Sequence, residues 1–519
     1  MEIKFLGAAS CVTGSCHLLK IKDKNILLDC GAYQGKDDEG DRNFSFKFDI
    51  KDIDCVILSH AHIDHSGRIP FLYKLGYRGK VISTKATADL CSIMLPDSGH
   101  ILESEVEWKN RKRIRSGLPP IEPLYTLKTA QMSTSLFEGY NYDEYIEIFS
   151  NLKIRFLDSG HLLGSAITEL YITENDKEFK IVYSGDLGNT NLPILKDPVQ
   201  VDYADYVLME TTYGNRLHDN INSQLKQLIH IVKDTFKRRG NVIIPSFAVG
   251  RTQEVIYALN KYVESNILKN IKVYVDSPLA SEATKIFNEY TTEFDEDAQK
   301  LLKEGDNPLE FNGLYFTNSP QESMELNKIK TGAIIISASG MCEAGRIRHH
   351  LKHNLWRKEC SIVFVGYQAE GTLGQKILSG AKKIKLFGEE IAVNAEIYNL
   401  PSLSGHADKN GLLNWLENFK EKPKEVILIH GEKASRDYFK NLLIEKNYNT
   451  FCPNIGDIYS SEFKGQRKSV VKNKITNLLN SLEDIDSLNK EDLLNLIKKR
   501  NILKTKPFYL LNFKTIYIL

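Results

Sequence analysis

The segment Ser59-His60-Ala61-His62-Ile63-Asp64-His65-Ser66-Gly67, set directly after the apolar run Cys55-Val56-Ile57-Leu58, constrains this chain more than any other feature. Imidazoles and a carboxylate crowded at a strand end are costly to bury unless each finds a partner. A bound metal supplies one. In such a loop His60 and His62 can serve one ion and Asp64 and His65 a neighbouring one, because alternate residues project to the same side. One loop cannot close two coordination shells, so more His and Asp are expected at other strand ends. His161 follows the apolar run ending at Leu157, Asp186 follows Ile181-Val182-Tyr183, and His430 ends Val426-Ile427-Leu428-Ile429. All three stand where a sheet hands side chains to a common edge.

The rest of the chain can supply such sheets. Its 519 residues suffice for two to four domains, and 42% hydrophobic residues with 33 Gly and 15 Pro exclude a disordered or fibrous chain. Strands are expected at Ile3–Leu6, His17–Ile21, Asn25–Asp29, Asp54–Leu58, Val81–Thr84, Lys153–Leu157, Ala166–Ile172 and Phe179–Tyr183. From about Tyr206 longer alternation sets in, with apolar runs at Tyr206–Met209, Asn241–Pro245, Ile271–Val275, Ala333–Ile336 and Cys360–Val365 separated by helix-length segments. That is the pattern of a parallel sheet covered by helices. A zone over about 374–460 is expected to hold mixed strands, including Glu425–His430. The stretch from Lys464 carries twelve Lys and Arg against five Asp and Glu and is expected to be helical around Leu478–Arg500.

Charge and cysteines narrow the class. With 68 Lys and Arg against 67 Asp and Glu there is no global basic field, so any anion site must be local. No run of about 18 apolar residues occurs, which argues against a membrane partner and for a cytoplasmic protein. The eight cysteines are scattered without a Cys-x-x-Cys pair and read as buried apolar residues in a reducing compartment.

Other histidines are assigned lesser roles. His100 repeats the Asp-Ser-Gly-His of His161 but lies in a helical stretch, Ala86–Glu105, and is expected beside the site or on a lid. His349, His350 and His353 are expected on a helix facing substrate or solvent, and His17, His218 and His230 carry no motif. The turns Ser246-Phe247-Ala248-Val249-Gly250-Arg251 and Ser337-Ala338-Ser339-Gly340-Met341 each follow an apolar strand and precede a helix. Such turns offer backbone N–H groups to phosphates, which makes Ser246, Arg251, Ser339 and Gly340 candidate substrate contacts.

Taken together, the His-x-His-x-Asp-His loop, His161, Asp186, and Asp29 after an early strand resemble the metallo-β-lactamase superfamily. Within it, Glu210-Thr211-Thr212-Tyr213-Gly214, His406 in Ser404-Gly405-His406-Ala407-Asp408, and His430-Gly431-Glu432 are similar to motifs A, B and C of the β-CASP nucleases. The likeness is strongest to prokaryotic relatives of the endonuclease subunit of the eukaryotic cleavage and polyadenylation factor.

The resemblance implies an α/β fold: a metallo-β-lactamase αββα sandwich over 1–205, an inserted α/β β-CASP domain over 206–370, a completing segment over 371–460, and an unassigned basic extension over 461–519. It also implies two Zn²⁺ per chain, one held by His60, His62 and His161, the other by Asp64, His65 and His430, with Asp186 bridging. His406 would be the general acid, kept cationic by Glu210, and Asp29 would support the ligand loop. The implied reaction is hydrolysis of single-stranded RNA to 5′-phosphate and 3′-hydroxyl ends. Endonucleolytic and 5′-exonucleolytic modes are both left open, as is a homodimer. The alternatives are a glyoxalase- or lactonase-like hydrolase, a β-CASP DNA nuclease and a non-catalytic scaffold. RNA is favoured because the DNA-repair branch usually has an apolar residue in place of His430.

Overall fold

Two β-sheets build the expected edge. The protein is described by a computed structural model covering residues 1–460 except 367, 369, 370, 402 and 403, so the expected basic extension and its helix lie outside the described residues. Strands β1 (Glu2–Phe5), β2 (His17–Ile21) and β3 (Lys24–Leu28) form an antiparallel meander. From β3 the sheet continues in parallel through β4 (Cys55–Ile57), β5 (Lys80–Thr84) and β6 (Phe137–Tyr140). Every residue of β4 is buried, as a parallel strand covered on both faces requires.

The second sheet repeats this change of sense. Strands β7 (Tyr145–Phe149), β8 (Leu152–Asp158), β9 (Ala166–Glu174) and β10 (Lys177–Tyr183) pair antiparallel, and β10 then pairs in parallel with β11 (Tyr206–Glu210). At Glu210 the chain leaves and builds a third sheet from β12 (Val242–Pro245), β13 (Lys272–Asp276), β14 (Leu314–Phe316), β15 (Ala333–Ser337) and β16 (Ser361–Phe364). A hairpin of β17 (Lys383–Leu386) and β18 (Glu389–Ala392) precedes β19 (Glu396–Asn399), and the third sheet runs β14-β13-β15-β12-β16-β19 with every pairing parallel. The chain returns as β20 (Glu425–Ile429) beside β11, with Ile429 opposite Glu210, and β21 (Thr450–Phe451) follows on its far side. The whole excursion is therefore spliced between two hydrogen-bonded neighbours.

The first two sheets face each other. The His17 ring on β2 lies 6.1 Å from Tyr183 on β10, and Phe5 on β1 lies 6.2 Å from Phe451 on β21. Helices Lys409–Glu417 and Lys433–Glu445 cover the outer side of the second sheet, packing Trp415, Phe439 and Leu443 on Val207, Val426 and Leu428. Helices Ile69–Lys74 and Lys85–Arg115 cover the first, through Leu72, Leu90 and Leu95. The result is a four-layer αββα sandwich with an inserted α/β layer. Among the described residues no helix is long and apolar enough to cross a membrane, and all eight cysteines are free.

Two expectations are corrected. The third sheet does not end at 370: β19 pairs with β16, and Ile384, Leu386 and Ile391 of the hairpin share a core with Ile362 and Phe364. These short strands bury only two residues (β17) and one (β18) among exposed lysines and glutamates, and leave little apolar signal in the sequence. The helix expected over Ala86–Glu105 runs on to Arg115: Thr84 caps its start by accepting from the Thr87 amide, Pro96 and Gly99 are absorbed within it, and neither Gly nor Pro follows until Gly117.

Leu428 is fully buried between β11 and the outer helices. Leu428→Ala should destabilise the protein by about 2–5 kcal/mol in denaturant titrations. Leu118→Ala, at a side chain 50% exposed, should stay within about 0.5 kcal/mol of the parent.

Candidate metal centre

The ligand-type loop leaves β4 at Leu58 and is fastened at both ends by one buried carboxylate. Asp29, just past β3, accepts from the Ser59 amide at 2.8 Å and the Ser59 hydroxyl at 3.0 Å, and lies 2.6 Å from His65 Nδ1. With Asp29 holding Nδ1, the other ring nitrogen of His65 is left for the centre. The backbone beneath is packed tightly enough that a Cβ at Gly31 would fall 1.6 Å from the Asp64 carbonyl oxygen, so only glycine fits. A single helical turn, Ile63–Ser66, then presents Asp64 and His65.

The remaining groups come from the second sheet. Strands β8, β10 and β20 run in the same direction, and His161, Asp186 and His430 lie beyond their C-terminal ends. The chain turns sharply there, with positive φ at Gly160, Gly185 and His430.

The seven groups fall into two sets. In one, His60 Nε2 lies 3.1 Å from His62 Nδ1, which lies 3.2 Å from His161 Nε2. In the other, His65 Nε2 lies 3.1 Å from His430 Nε2, which lies 3.7 Å from Asp64 Oδ2. Asp186 joins them: Oδ2 is 3.6 Å from His60, 3.7 Å from His161 and 3.3 Å from His65, and Oδ1 is 3.2 Å from His430. Four atoms about 2.0–2.1 Å from a common ion in tetrahedral array stand about 3.4 Å apart, and the observed separations bracket that value. The Asp186 Oδ1 atom is buried and makes no hydrogen bond despite its polar neighbours, an acceptor for which a cation is the fitting partner.

Electrostatics agree with this. Burial, with the neighbouring histidines, holds His60 and His161 well below the usual imidazole range, and burial takes His62 down to about 4. These rings are neutral, the form a metal needs. Burial pushes the carboxyls of Asp64 and Asp186 up, but the surrounding imidazoles outweigh it, bring Asp64 to about 2 and hold Asp186 well below the usual carboxylate range. His65 is drawn towards imidazolium by Asp186 and Asp29 despite its burial, and a cation on Nε2 would take that proton's place.

His406 is held apart from both sets. Its Nδ1 lies 3.2 Å from Glu210 Oε1 and 3.8 Å from Asp186 Oδ2, and its ring centre lies 4.4 Å from that of His161. Glu210 also accepts from the Leu187 amide at 2.8 Å and the Thr212 amide at 3.1 Å. The segment around His406 hangs on the Asp186 loop, with the Asn189 amide bonded to Gly405 O and the Ala407 amide to Leu187 O. The His406 side chain is 22% exposed, as is Asp64, whereas His60, His65, Asp186 and His430 are 0–3% exposed. His406 and Asp64 therefore line the open side. Burial pulls the His406 imidazole down, but Glu210 and Asp186 more than offset it and raise it to about 9.

His218 belongs here although nothing in its sequence context marked it. Its ring Nε2 lies 3.1 Å from the His406 carbonyl oxygen, its amide donates to Asp408, and its ring packs edge-on to Tyr213. The one available signal was its place just downstream of Glu210–Gly214.

Candidate contacts on the third sheet fare unevenly. The turn holding Ser246 and Arg251 abuts the His161 loop, since a Cβ at Gly250 would lie 2.8 Å from Leu162 Cδ1. Ser339 Oγ is buried without a hydrogen-bond partner, and Gly340 packs against Phe247. Arg251, by contrast, is buried and ion-paired with Glu254 one helical turn on, so its guanidinium is not free to grip an anion. His100 is exposed on the long helix and takes no part in either set. His350 faces neither substrate nor solvent but is buried 2.6 Å from Asp276, while His349 stacks on Phe387.

Comparison with known proteins agrees with the geometry. Residues 9–79 match the metallo-beta-lactamase superfamily, 252–377 the Beta-Casp domain and 390–453 the Zn-dependent metallo-hydrolase RNA specificity domain. Ribonuclease TTHA0252 of Thermus thermophilus is 36% identical over 83% of this chain and 94% of its own length. From Methanocaldococcus jannaschii, an RNase J-like protein is 32% identical over 83% of this chain and 92% of its own. The transcription termination factor FttA of the same organism is 32% identical over 84% of this chain and 67% of its own length. A solved protein of unknown function from Enterococcus faecalis V583 covers 88% of this chain and 99% of its own at a TM-score of 0.50 and 14% identity, a likeness of fold alone.

Because Asp29 fixes both ends of the ligand loop, Asp29→Asn should weaken metal binding about 10–100-fold in chelator competition, the usual loss for a partner one shell out. Circular dichroism should remain that of the parent.

Proposed function

This chain belongs to the metallo-β-lactamase superfamily and, within it, to the β-CASP ribonucleases, and we propose that it is a zinc-dependent enzyme hydrolysing single-stranded RNA to 5′-phosphate and 3′-hydroxyl ends. The observation that carries this reading is the pair of three-ligand sets sharing Asp186, with the His406–Glu210 pair at their open side. His60, His62 and His161 would hold one zinc and Asp64, His65 and His430 the other, with Asp186 between. Bound there, two zinc ions supply an activated water and charge neutralisation for a phosphodiester. The absence of a membrane-spanning helix among the described residues and the unpaired cysteines fit a cytoplasmic enzyme.

The protein's own residues then have separable tasks. Asp29 and Ser59 orient the ligand loop, and the Leu187 amide and Glu210 lock the strand edge that carries Asp186. His406, held at Nδ1 by Glu210, would as imidazolium give the proton on its other ring nitrogen to a leaving 3′-oxygen. His218 holds the His406 backbone while Glu210 holds its ring. The third sheet, absent from a minimal two-metal hydrolase of small substrates, brings its turns against the His161 loop and favours a polymeric substrate. End-labelled RNA, with 5′-monophosphate beside 5′-triphosphate, resolved on gels together with zinc analysis of the same preparation, tests the reading. Cleavage with about two zinc ions per chain is expected; metal-independent cleavage, or turnover only of thioesters and lactones, refutes it.

Two further outcomes are specific. His406→Ala should keep its zinc yet slow cleavage about 10²–10⁴-fold, and a bridging 3′-phosphorothiolate, whose leaving group needs no proton, should restore much of the loss. Asp186→Ala should show no such rescue. A general acid works only while protonated, so kcat/KM should fall as pH rises through the His406 pKa, which Glu210 raises. In Glu210→Gln that alkaline limb should move to lower pH by about one unit or more.

A further inference from the structure

At the opposite end of the third sheet, away from the turns that abut the metal centre, the N-terminal ends of its strands gather groups the reaction does not use. Trp356 sits just before β16 and is 55% exposed. Its loop is fastened: the Trp356 carbonyl accepts from Asn394 Nδ2 at 3.0 Å, the Leu355 carbonyl accepts from the Asn394 and Ala395 amides at 2.9 Å, and Arg357 donates to the Lys330 carbonyl at 2.5 Å. Arg239, Lys330 and Lys358 are exposed before β12, β15 and β16. Arg357 is neutralised by Glu359 at 3.1 Å, whereas Arg239, Lys330 and Lys358 enter no ion pair among the described residues. Concavities of about 470 and 630 Å³ flank Trp356, the first lined by Arg239, Lys330 and His353, the second by Lys358 and Asn394, and both by the Arg357–Glu359 pair.

An exposed indole on a fastened loop among unpaired cations is what a single-stranded polynucleotide needs: a face for one base to stack on and charges that track its backbone. A protein partner would ask for apolar surface around the indole, but apart from Val393 the rim is lysine, arginine, histidine, asparagine and threonine with one carboxylate, Glu359, which Arg357 neutralises. Strands of four or five residues separate this rim from the turns at the other end, a thickness of about 13–17 Å, so one nucleotide cannot occupy both places. We propose that this face is a second binding site for single-stranded RNA, holding a stretch of the polymer remote from the scissile bond. The identity of the polynucleotide rests on the ribonuclease reading; the stacking and charge arguments do not.

The test uses the zinc-loaded full chain. Affinity is measured by fluorescence anisotropy with a 2′-O-methyl RNA of about 20 nucleotides, shown intact on a gel afterwards, and kcat and KM are measured on unmodified RNAs of about 6 and about 30 nucleotides. Trp356→Ala should weaken binding and raise KM on the long RNA about tenfold, the worth of one base stack, with kcat unchanged. Trp356→Phe, which keeps a π-face, should restore most of it. Lys330→Gln should reduce the slope of log affinity against log salt by about 0.7. All variants should cleave the short RNA as the parent does. Unchanged long-RNA binding in Trp356→Ala, or equal losses on short and long RNA, overturns the proposal, and so does intact RNA binding coupled to lost self-association. Should the parent cleave no RNA while Trp356→Ala still loses the 2′-O-methyl ligand, the ribonuclease reading falls and this site stands.

Discussion

The Asp186 carboxylate is 2% exposed and surrounded by ring nitrogens of four histidines at 3.2–3.7 Å, and the arrangement of the two central sheets depends on it. An uncompensated buried charge costs several kcal/mol, so this carboxylate is tolerable only where both sheets converge on it with complementary groups. His60 and His65 come from the first sheet and His161 and His430 from the second, so the centre also joins the two sheets at their shared edge. Tyr183 and Ser15 extend the same logic inward, both donating to Asp29, which in turn holds His65.

Splicing more than two hundred residues into this frame disturbs it little because the splice occurs between neighbours. Glu210 ends β11 and Ile429 ends β20 at the same register, and Thr211 seals the joint by donating its amide to His430 O and its hydroxyl to Ile429 O, each at 2.9 Å. A local hydrogen-bonded pairing thus fixes His430 relative to Glu210, whatever lies between them in sequence. The insertion carries none of the seven clustered groups and touches the His161 loop through its turns.

What the sequence disclosed follows from this. His60, His62, Asp64 and His65 were legible because four such residues in one short loop have no cheap apolar alternative, and His161, Asp186 and His430 because each caps an apolar run. Side-chain pairings made only in three dimensions stayed hidden. His350 is committed to Asp276, 74 residues away, and His218 to a backbone carbonyl 188 residues away. Arg251 was misjudged although its partner was in view: Glu254 three residues on is a standard helical ion pair, and burial turned that pair from a surface ornament into the fate of the guanidinium. The strands β17 to β19 lie in a zone legible only as mixed strands, because four residues with at most two of them buried are too few to register as a period.

The loss of Arg251 as an anion contact sharpens the electrostatic problem the composition had posed. With a formal net charge of +1, the chain has no diffuse field to hold a polyanion. Near the reaction centre the metal ions proposed for the two ligand sets and His406, whose charge Glu210 sustains, are cationic. Both act at the reacting phosphate and fall off within about 8–10 Å in salt. A polymer bound only at its scissile bond would gain little from its length. Length contributes to affinity only if further phosphates and bases meet charge and aromatic surface elsewhere on the chain, in a place rigid enough that ordering the polymer is not matched by ordering the protein. Among the described residues the third sheet offers that at the end that the metal centre leaves unused, where a fastened loop presents Trp356 between unpaired cations.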